Sequence, residues 1–502
     1  MSIAASDAVE APDISPKSGS GRWLALAVIA VAQLLIVLDA TIVNIALPTA
    51  QKALHISDAN RQWMITAYTL AFGGLLLLGG RIADYTGRKR AFIIGLLGFA
   101  AASALGGLAQ NAIMLFSARA LQGAFGALMA PAALSLLTVT FTDAKERARA
   151  FGVYGAIAGG GGAIGLLLGG VLTEYASWRW TLLVSTPIAI AAALAAFRFV
   201  GESRAEGNTR YDLPGALTST AGLVALVYGF TKASSDGWGS AVTIEFLVAG
   251  AALLAAFIVI ELRSSHPLLP MRVILDRNRG GAYLSALLIG VGLFGVFLFL
   301  TFYLQITLGY SALKTGVAFL PFTVGIIAGA GVSAQLLTRV GPRVLMSSGL
   351  LLASVGMVML TRIGVDTGFW THVFPGELII SFGIGVTFGP MSNTALVGVS
   401  DRDAGVASAL INTTQQIGGS LGTALLNTIF TSAVAGYLTT HQHEIASQAQ
   451  LPALRTVATV HGYTVAFWVS AGLITLAAVV ALVLIQASRE QVAASNATPV
   501  AV

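Results

Sequence analysis

GRIADYTGRKR, at 80–90, sets two glycines, one acid and four bases between two long apolar runs, and reads as a tight charged turn joining two helices. An echo stands 254 residues later, where AQLLTRVGPR (334–343) keeps the hydrophobic, glycine and terminal basic positions in step. A second echo lies at an offset of 253, where AIGLLLG (163–169) matches QIGGSLG (416–422). Similar segments at one fixed offset mark an internal repeat. Two six-helix halves follow, 1–200 and about 279–502, with the runs across 213–262 as an inserted helical pair. Parallel repeats with a site at the midplane between them are a layout of secondary transporters.

The repeat sits in a chain of 502 residues, 10% charged and 56% hydrophobic, with a mean hydropathy of +0.82. Soluble proteins carry about 25% charged residues. The 22 acids and 28 bases cannot cover several globular surfaces, so an ordinary cytosolic enzyme is excluded and the chain is an all-α polytopic membrane protein. Crossing ~30 Å of hydrocarbon takes about 20 mainly apolar residues. Fourteen such runs stand out: 23–46, 63–83, 91–110, 112–139, 148–172, 180–200, 213–231, 242–262, 280–303, 315–338, 343–362, 373–399, 404–433 and 461–485. The strand-like alternation of a membrane β-barrel is absent. Fifty-seven glycines spread through the runs point to closely packed spans. There is no cysteine, which excludes disulfides, thiolate metal sites and thiol catalysis.

Residues 1–22 mix acids, Pro, Ser and Gly and read as a disordered tail, with 486–502 as a second tail. The first run is too long, and too directly followed by further spans, for a cleaved signal peptide. If the N-terminus is cytoplasmic, fourteen spans return the C-terminus to the same side. Of the 28 bases, 20 then fall on that side and seven on the other (Lys52, Arg61, Arg179, Lys232, Lys314, Arg362 and Arg455), while Arg119 lies inside a span. This is the positive-inside pattern, and it accounts for a net charge of +6 and a pI near 9.6 without nucleic acid.

The turn at 80–90 resembles the signature that the major facilitator superfamily carries between its second and third spans: glycine, an aliphatic residue, Asp, then Gly-Arg-Lys. LFSARALQGAFGA (115–127) is similar to that superfamily's fourth-span Arg motif, and VLDATIVNIALP (37–48) looks like the first-span motif of its fourteen-span drug:proton antiporters. QWMITAYTL (62–70) and WRWTLL (178–183) fit the same group, so the five matches come in the right order and the resemblance covers nearly the whole chain. It implies the major facilitator fold with 14 transmembrane helices arranged as 6+2+6. The bundles are expected at 23–200 and 279–485, and the linker with its two inserted spans at 201–278. It also implies multidrug efflux at a bacterial inner membrane, driven by the proton motive force. The expected partners are small lipophilic cationic or neutral substrates, protons and membrane lipid, and the expected state is a monomer.

Asp39 lies about two thirds of the way along the first span, where an acid is costly and is a candidate functional site. A carboxylate at that depth can hold a proton near neutral pH, as an antiporter needs if drug and proton compete. The other reading is a solvated acid at a helix end. A buried guanidinium such as that of Arg119 demands an acidic or carbonyl partner, and Gln122 and Gly123 share its face or allow close approach. A structural Arg snorkelling from near the helix end would leave the same trace. The resemblance implies a role for Arg119 in proton transfer or in linking proton movement to the conformational switch, with Asp39 a candidate partner.

In the turn itself, Gly80 permits close helix approach and Gly87 the reversal, while Asp84 sits against a helix C-terminal dipole unless a nearby base or another helix N-terminus compensates. Such a cluster can hold one state of a rocking transporter closed, and its bases also fix topology. In the second half Thr338 replaces the acid, so that copy should latch more weakly. Nine glycines fall in 151–170; Gly155, Gly159, Gly162, Gly165, Gly169 and Gly170 leave one side of the fifth span nearly bare. That suits either a bending or sliding contact between halves or simple small-residue packing. The run resembles the exporters' antiporter motif, but Gly165-Leu166 stands where the family commonly has Gly-Pro, so less kinking is expected.

Gln33, Tyr68, Tyr303, Gln305, Asn412, Gln415, Gln416 and Asn427 are polar or amphipathic positions in apolar spans, and could line a roomy cavity or bridge helices. Glu377, a few residues into the twelfth span, reads as an acid that attracts cations near the outer mouth, as a second proton site, or as a solvated acid. The six histidines fall at loops or span edges, and His441 with His443 is too sparse for a metal claim. No Gly-x-x-x-x-Gly-Lys-Ser/Thr loop is present, so ATP is not the driver and no cofactor is called for. The expectation is a proton-coupled exporter of lipophilic drugs or antibiotics, not an enzyme. The alternatives are a dedicated exporter of one endogenous metabolite or self-made antibiotic, and a non-transporting membrane receptor.

Overall fold

A computed structural model describes residues 19–141, 143–204, 212–265, 267–399, 401–444 and 448–491. The expected tails fall largely on 1–18 and 492–502, which lie outside the described residues. Among the described residues there is no strand, and 14 helices are long and apolar enough to cross a membrane. In chain order they are α1 Gly21–Ala53, α2 Trp63–Thr86, α3 Arg88–Gly107, α4 Ala112–Thr140, α5 Arg149–Tyr175, α6 Trp180–Phe199, α7 Leu213–Asp236, α8 Ala241–Arg263, α9 Arg277–Thr307, α10 Ala312–Val340, α11 Pro342–Leu360, α12 Phe369–Leu396, α13 Val406–His441 and α14 Leu451–Leu484. Each sits on one expected run. Residues 19–22, read as tail, are already helical, because GSGR offers nothing that breaks a helix once the apolar turns behind it have formed.

Several helices start where a side chain satisfies free backbone N–H groups. Asn111 accepts from the Met114 N–H at 2.9 Å ahead of α4, Asp212 from Gly215 at 2.9 Å in α7, and Asp276 from Asn278 and Arg279 at 3.1 and 3.0 Å in α9. The last turn of α9, Tyr303–Thr307, and the first of α12, Phe369–Val373, are π-helical, a local widening frequent at functional sites.

The packing repeats with the sequence. In the first half α2 packs on α4, α3 on α4, α1 on α5 and α3 on α6; in the second α10 packs on α12, α11 on α12, α9 on α13 and α11 on α14. The inserted helices α7 and α8 pack on each other, and α7 touches α2 and α13. Most of α8 is exposed, as a helix clothed by lipid tails would be.

The two ends of the bundle differ. At the end away from the termini, the far end, the halves are stitched together: Gln305 Nε2 donates to the Ile45 carbonyl at 2.9 Å, the Leu313 N–H to Glu174 Oε2 at 2.8 Å, and Asn427 Nδ2 to the Asp58 carbonyl at 3.0 Å. Deeper in, the Thr69 and Ser420 hydroxyls meet at 2.7 Å. Toward the termini, the opening turns of α5 are exposed, with open space around Gly152, Gly155 and Gly160. The molecule is shut at the far end.

Candidate functional site

Asp39 on α1 and Arg119 on α4 meet in the first half, 0% and 2% exposed. Arg119 Nη1 donates to Asp39 Oδ2 at 2.7 Å and to Gln122 Oε1 at 2.9 Å, while its Nε donates to the Met64 carbonyl at 2.9 Å. Gln122 Nε2 donates to Asp39 Oδ1 at 3.0 Å and to the Ser103 hydroxyl, on α3, at 2.8 Å. The guanidinium also lies 4.6 Å from the centroid of the Tyr68 ring, which stacks on Phe72. Four helices thus converge on one charge pair. A desolvated pair is tolerated only when the remaining donors and acceptors are met, and here both carboxylate oxygens are.

Gly123 lets this happen: a Cβ there would collide with the Tyr68 carbonyl, so α4 lies on α2 at a separation only glycine permits. One turn away, Arg119 then reaches the α2 backbone at Met64. The solvated reading of Asp39 and the snorkelling reading of Arg119 both give way to burial. Ser103 was missed by sequence reasoning, because a lone serine in an apolar span carries no signal until its neighbours are known.

The charged turn adopts the reversal asked of Gly87, whose φ is +113°. Asp84 pairs with Arg88 at 2.9 Å, which is the compensation its place at the end of α2 requires. The Arg88 N–H donates to the Ser203 carbonyl at 2.9 Å, the Lys89 N–H to Glu202 Oε1 at 3.1 Å and Lys89 Nζ to the Phe197 carbonyl at 2.9 Å. The turn is therefore clasped to the chain just after α6, within its own half. Glu202, an acid in a loop with no motif around it, went unnoticed in the sequence. Gly80 sits against Pro131 of α4, and Arg81 donates to the Pro267 carbonyl at 3.3 Å, in the linker to the second half.

Along α5 the glycines divide. An added Cβ at Gly165 would strike the Thr41 hydroxyl, and at Gly169 it would lie 2.7 Å from the Ile42 carbonyl, both on α1. Gly162 comes near Thr41 more loosely. Gly170 alone of the set faces the other half, against Leu313 at 2.7 Å, while Gly155 meets nothing and the surroundings of Gly159 lie outside the described residues. In this state the bare side is thus chiefly a seat for α1. The helix is continuous through Gly165-Leu166.

The expected cavity residues also divide. Tyr303 donates to the Gly364 carbonyl at 2.9 Å, and Gln305 and Asn427 join the far-end seal, so these three serve as bridges. Tyr68 is taken up under Arg119. Gln33 accepts from the Tyr154 hydroxyl at 2.6 Å within the first half, Gln415 and Gln416 are partly buried, with Gln416 against Gly73 of α2, and Asn412 is exposed. Glu377 is not at a solvated edge: it is 1% exposed, beside Phe297, Phe319 and Phe322, and its carboxylate meets the Phe322 backbone N–H. The π-helical turn at Phe369–Val373 carries the start of α12 into the bundle and takes Glu377 with it.

The family model described as Major Facilitator Superfamily matches residues 29–423. The chain is 51% identical over 472 residues to the puromycin resistance protein of Streptomyces alboniger, a match covering 93% of this chain and 92% of that one. It is 39% identical to the cephamycin export protein of Amycolatopsis lactamdurans, covering 82% and 86%, and 32% identical to a multidrug efflux pump of Mycolicibacterium smegmatis, covering 85% and 84%. Among solved structures, an inward-facing bacterial homologue of the human lysosomal transporter Spinster aligns with a TM-score of 0.64 over 93% of this chain and 98% of that one, at 18% identity.

Proposed function

The chain belongs to the major facilitator superfamily, and from that premise we propose that it is a proton-coupled antiporter exporting lipophilic drugs or antibiotics across the cytoplasmic membrane by alternating access. It is a transporter and not an enzyme. The observation that carries the proposal is the wholly buried Asp39, Arg119 and Gln122 network, a charge pair sealed between four helices. The names of the relatives supply the substrate class. Glu377 is the second proton site in this reading, and Gln33, Asn412, Gln415 and Gln416 line the substrate path. The units are 23–200, the inserted pair within 201–278, and 279–485. Both termini are cytoplasmic, so the far end is extracellular and the described state opens inward.

The coupling follows from charge. With Asp39 ionised, Arg119 is fully partnered and the first half is held as described. A proton on Asp39 removes that charge partner and leaves a buried guanidinium needing a new one, which only a rearrangement of α1 against α4 supplies. Proton uptake from outside thus accompanies drug release, and proton loss to the cytoplasm accompanies drug binding. The charged turn at Gly80, Asp84, Gly87, Arg88 and Lys89 latches the cytoplasmic end when that end shuts.

Asp39→Asn is expected to abolish substrate-dependent proton flux in proteoliposomes, tested over a panel of lipophilic cations and neutral drugs, while still inserting in the membrane. Undiminished flux in that variant removes Asp39 from the mechanism. A second reading, export of a single compound, is favoured by relatives named for puromycin resistance and cephamycin export. A flux response to one member of the panel alone would select it.

A further inference from the structure

Arg61, in the turn between α1 and α2, is 3% exposed although Asp58 three residues before it is largely in water. Its guanidinium carbon lies 4.3 Å from the ring centroid of Phe302 and 4.7 Å from that of Phe430. Phe430 in turn stacks on Tyr463 at 5.1 Å and on Phe299 at 5.3 Å. The guanidinium therefore lies on the faces of Phe302 and Phe430, two rings of an aromatic box built from the second half. Nε donates to Asn427 Oδ1 at 3.2 Å, Nη1 stands 3.6 Å from Asp58 Oδ1, and the Tyr463 hydroxyl also meets the guanidinium. With its one paired acid distant and wet, this buried cation is held chiefly by ring faces, the means by which aromatic cages recognise organic cations.

The cation and the box come from opposite halves. Any motion that parts the halves at the far end withdraws Arg61 and leaves the box facing the opening. We propose that Phe302, Phe430 and Tyr463, with Phe299 packed on Phe430, form a binding subsite for organic cations, filled by Arg61 while the far end is shut and by a cationic group of the substrate once it opens. The proposal rests on the exporter reading above. Arg61 is then a built-in competitor: when the end closes it retakes the box and displaces the departing cation. A neutral substrate gains no hold there and leaves from the polar path alone.

The test uses ethidium, a planar fluorescent cation, titrated into the purified full chain in detergent. No ion gradient is applied, so failure of proton coupling leaves the readout untouched. Arg61→Ala is expected to bind ethidium roughly tenfold more tightly than the parent, the scale of a desolvated cation–π contact. Adding Phe430→Leu to that variant removes the gain, and Arg61→Lys, which keeps a cation in the box, shows none. Arg61→Gln, which can still bond Asn427, takes the place of Arg61→Ala if the alanine form does not hold its fold in a melting assay. Parent affinity in the Arg61→Ala or Arg61→Gln form, or a gain that survives Phe430→Leu, overturns the subsite.

Discussion

Arg119 makes four separate contacts from one side chain, with Asp39, Gln122, the Met64 carbonyl and the face of Tyr68. Removing it alone strands a buried carboxylate. Arg119→Leu is therefore expected to cost about 3–5 kcal/mol of stability, the usual penalty for breaking a buried pair from one side. Adding Asp39→Asn to that variant neutralises the stranded acid and recovers a large part of the loss, since partners in direct contact are not additive. Thermal unfolding of the four proteins in detergent closes the cycle, and purely additive losses would mean the two side chains do not form a unit. Asp39 and Arg119 were legible in the sequence because charge is so scarce in the spans that each one stands out. Arg61 was not: it looks like any loop base, and its burial depends on Phe302 and Phe430 in the other half, which no local pattern brings to it.

Between elements, the spacing of helices is set by glycine, and α5 separates two reasons for having it. Gly169 is packed against the α1 backbone, so Gly169→Ala must push the helices apart and is expected to destabilise by about 1–3 kcal/mol. Gly155 faces open space, where Gly155→Ala is expected to gain up to about 1 kcal/mol from helix propensity. If that stabilised variant nonetheless loses transport, measured as substrate efflux from cells alongside its melting temperature, Gly155 is needed bare in the opposite state, when the halves close over it. Full transport would make it a spectator. The periodicity of the run was plain in the sequence, but which glycine meets α1, which meets α10 and which meets nothing was not. Those partners depend on helix rotation and tilt, and a span clothed in lipid lacks the polar face that would reveal its rotation. The π-helical turn ahead of Glu377 hid that acid's burial for a related reason, since the twelfth span reads as an ordinary apolar run.

For the whole molecule, the repeated turn at 80–90 and 334–343 foretold the paired packing of the two halves, yet it carries no word on which end is open. Under the alternating access proposed above it cannot, because the same chain would have to be compatible with both arrangements, and the charged turn that would latch one end is here clasped to Glu202 and Ser203 of its own half. The state is instead written in contacts such as that of Thr69 with Ser420, hydroxyl to hydroxyl at 2.7 Å across the two halves. With no cysteine in the chain, Thr69→Cys with Ser420→Cys introduces the only two thiols, close enough to join as a disulfide when the far end is shut. Mild oxidation in membranes is expected to cross-link most of the protein, stop transport, and release it again on reduction. Transport that continues in cross-linked protein would mean the halves need not part along α2 and α13, and the cycle would have to open elsewhere. Transport stopped only while the bond holds locates the far-end gate at the seam on which Arg61 also closes.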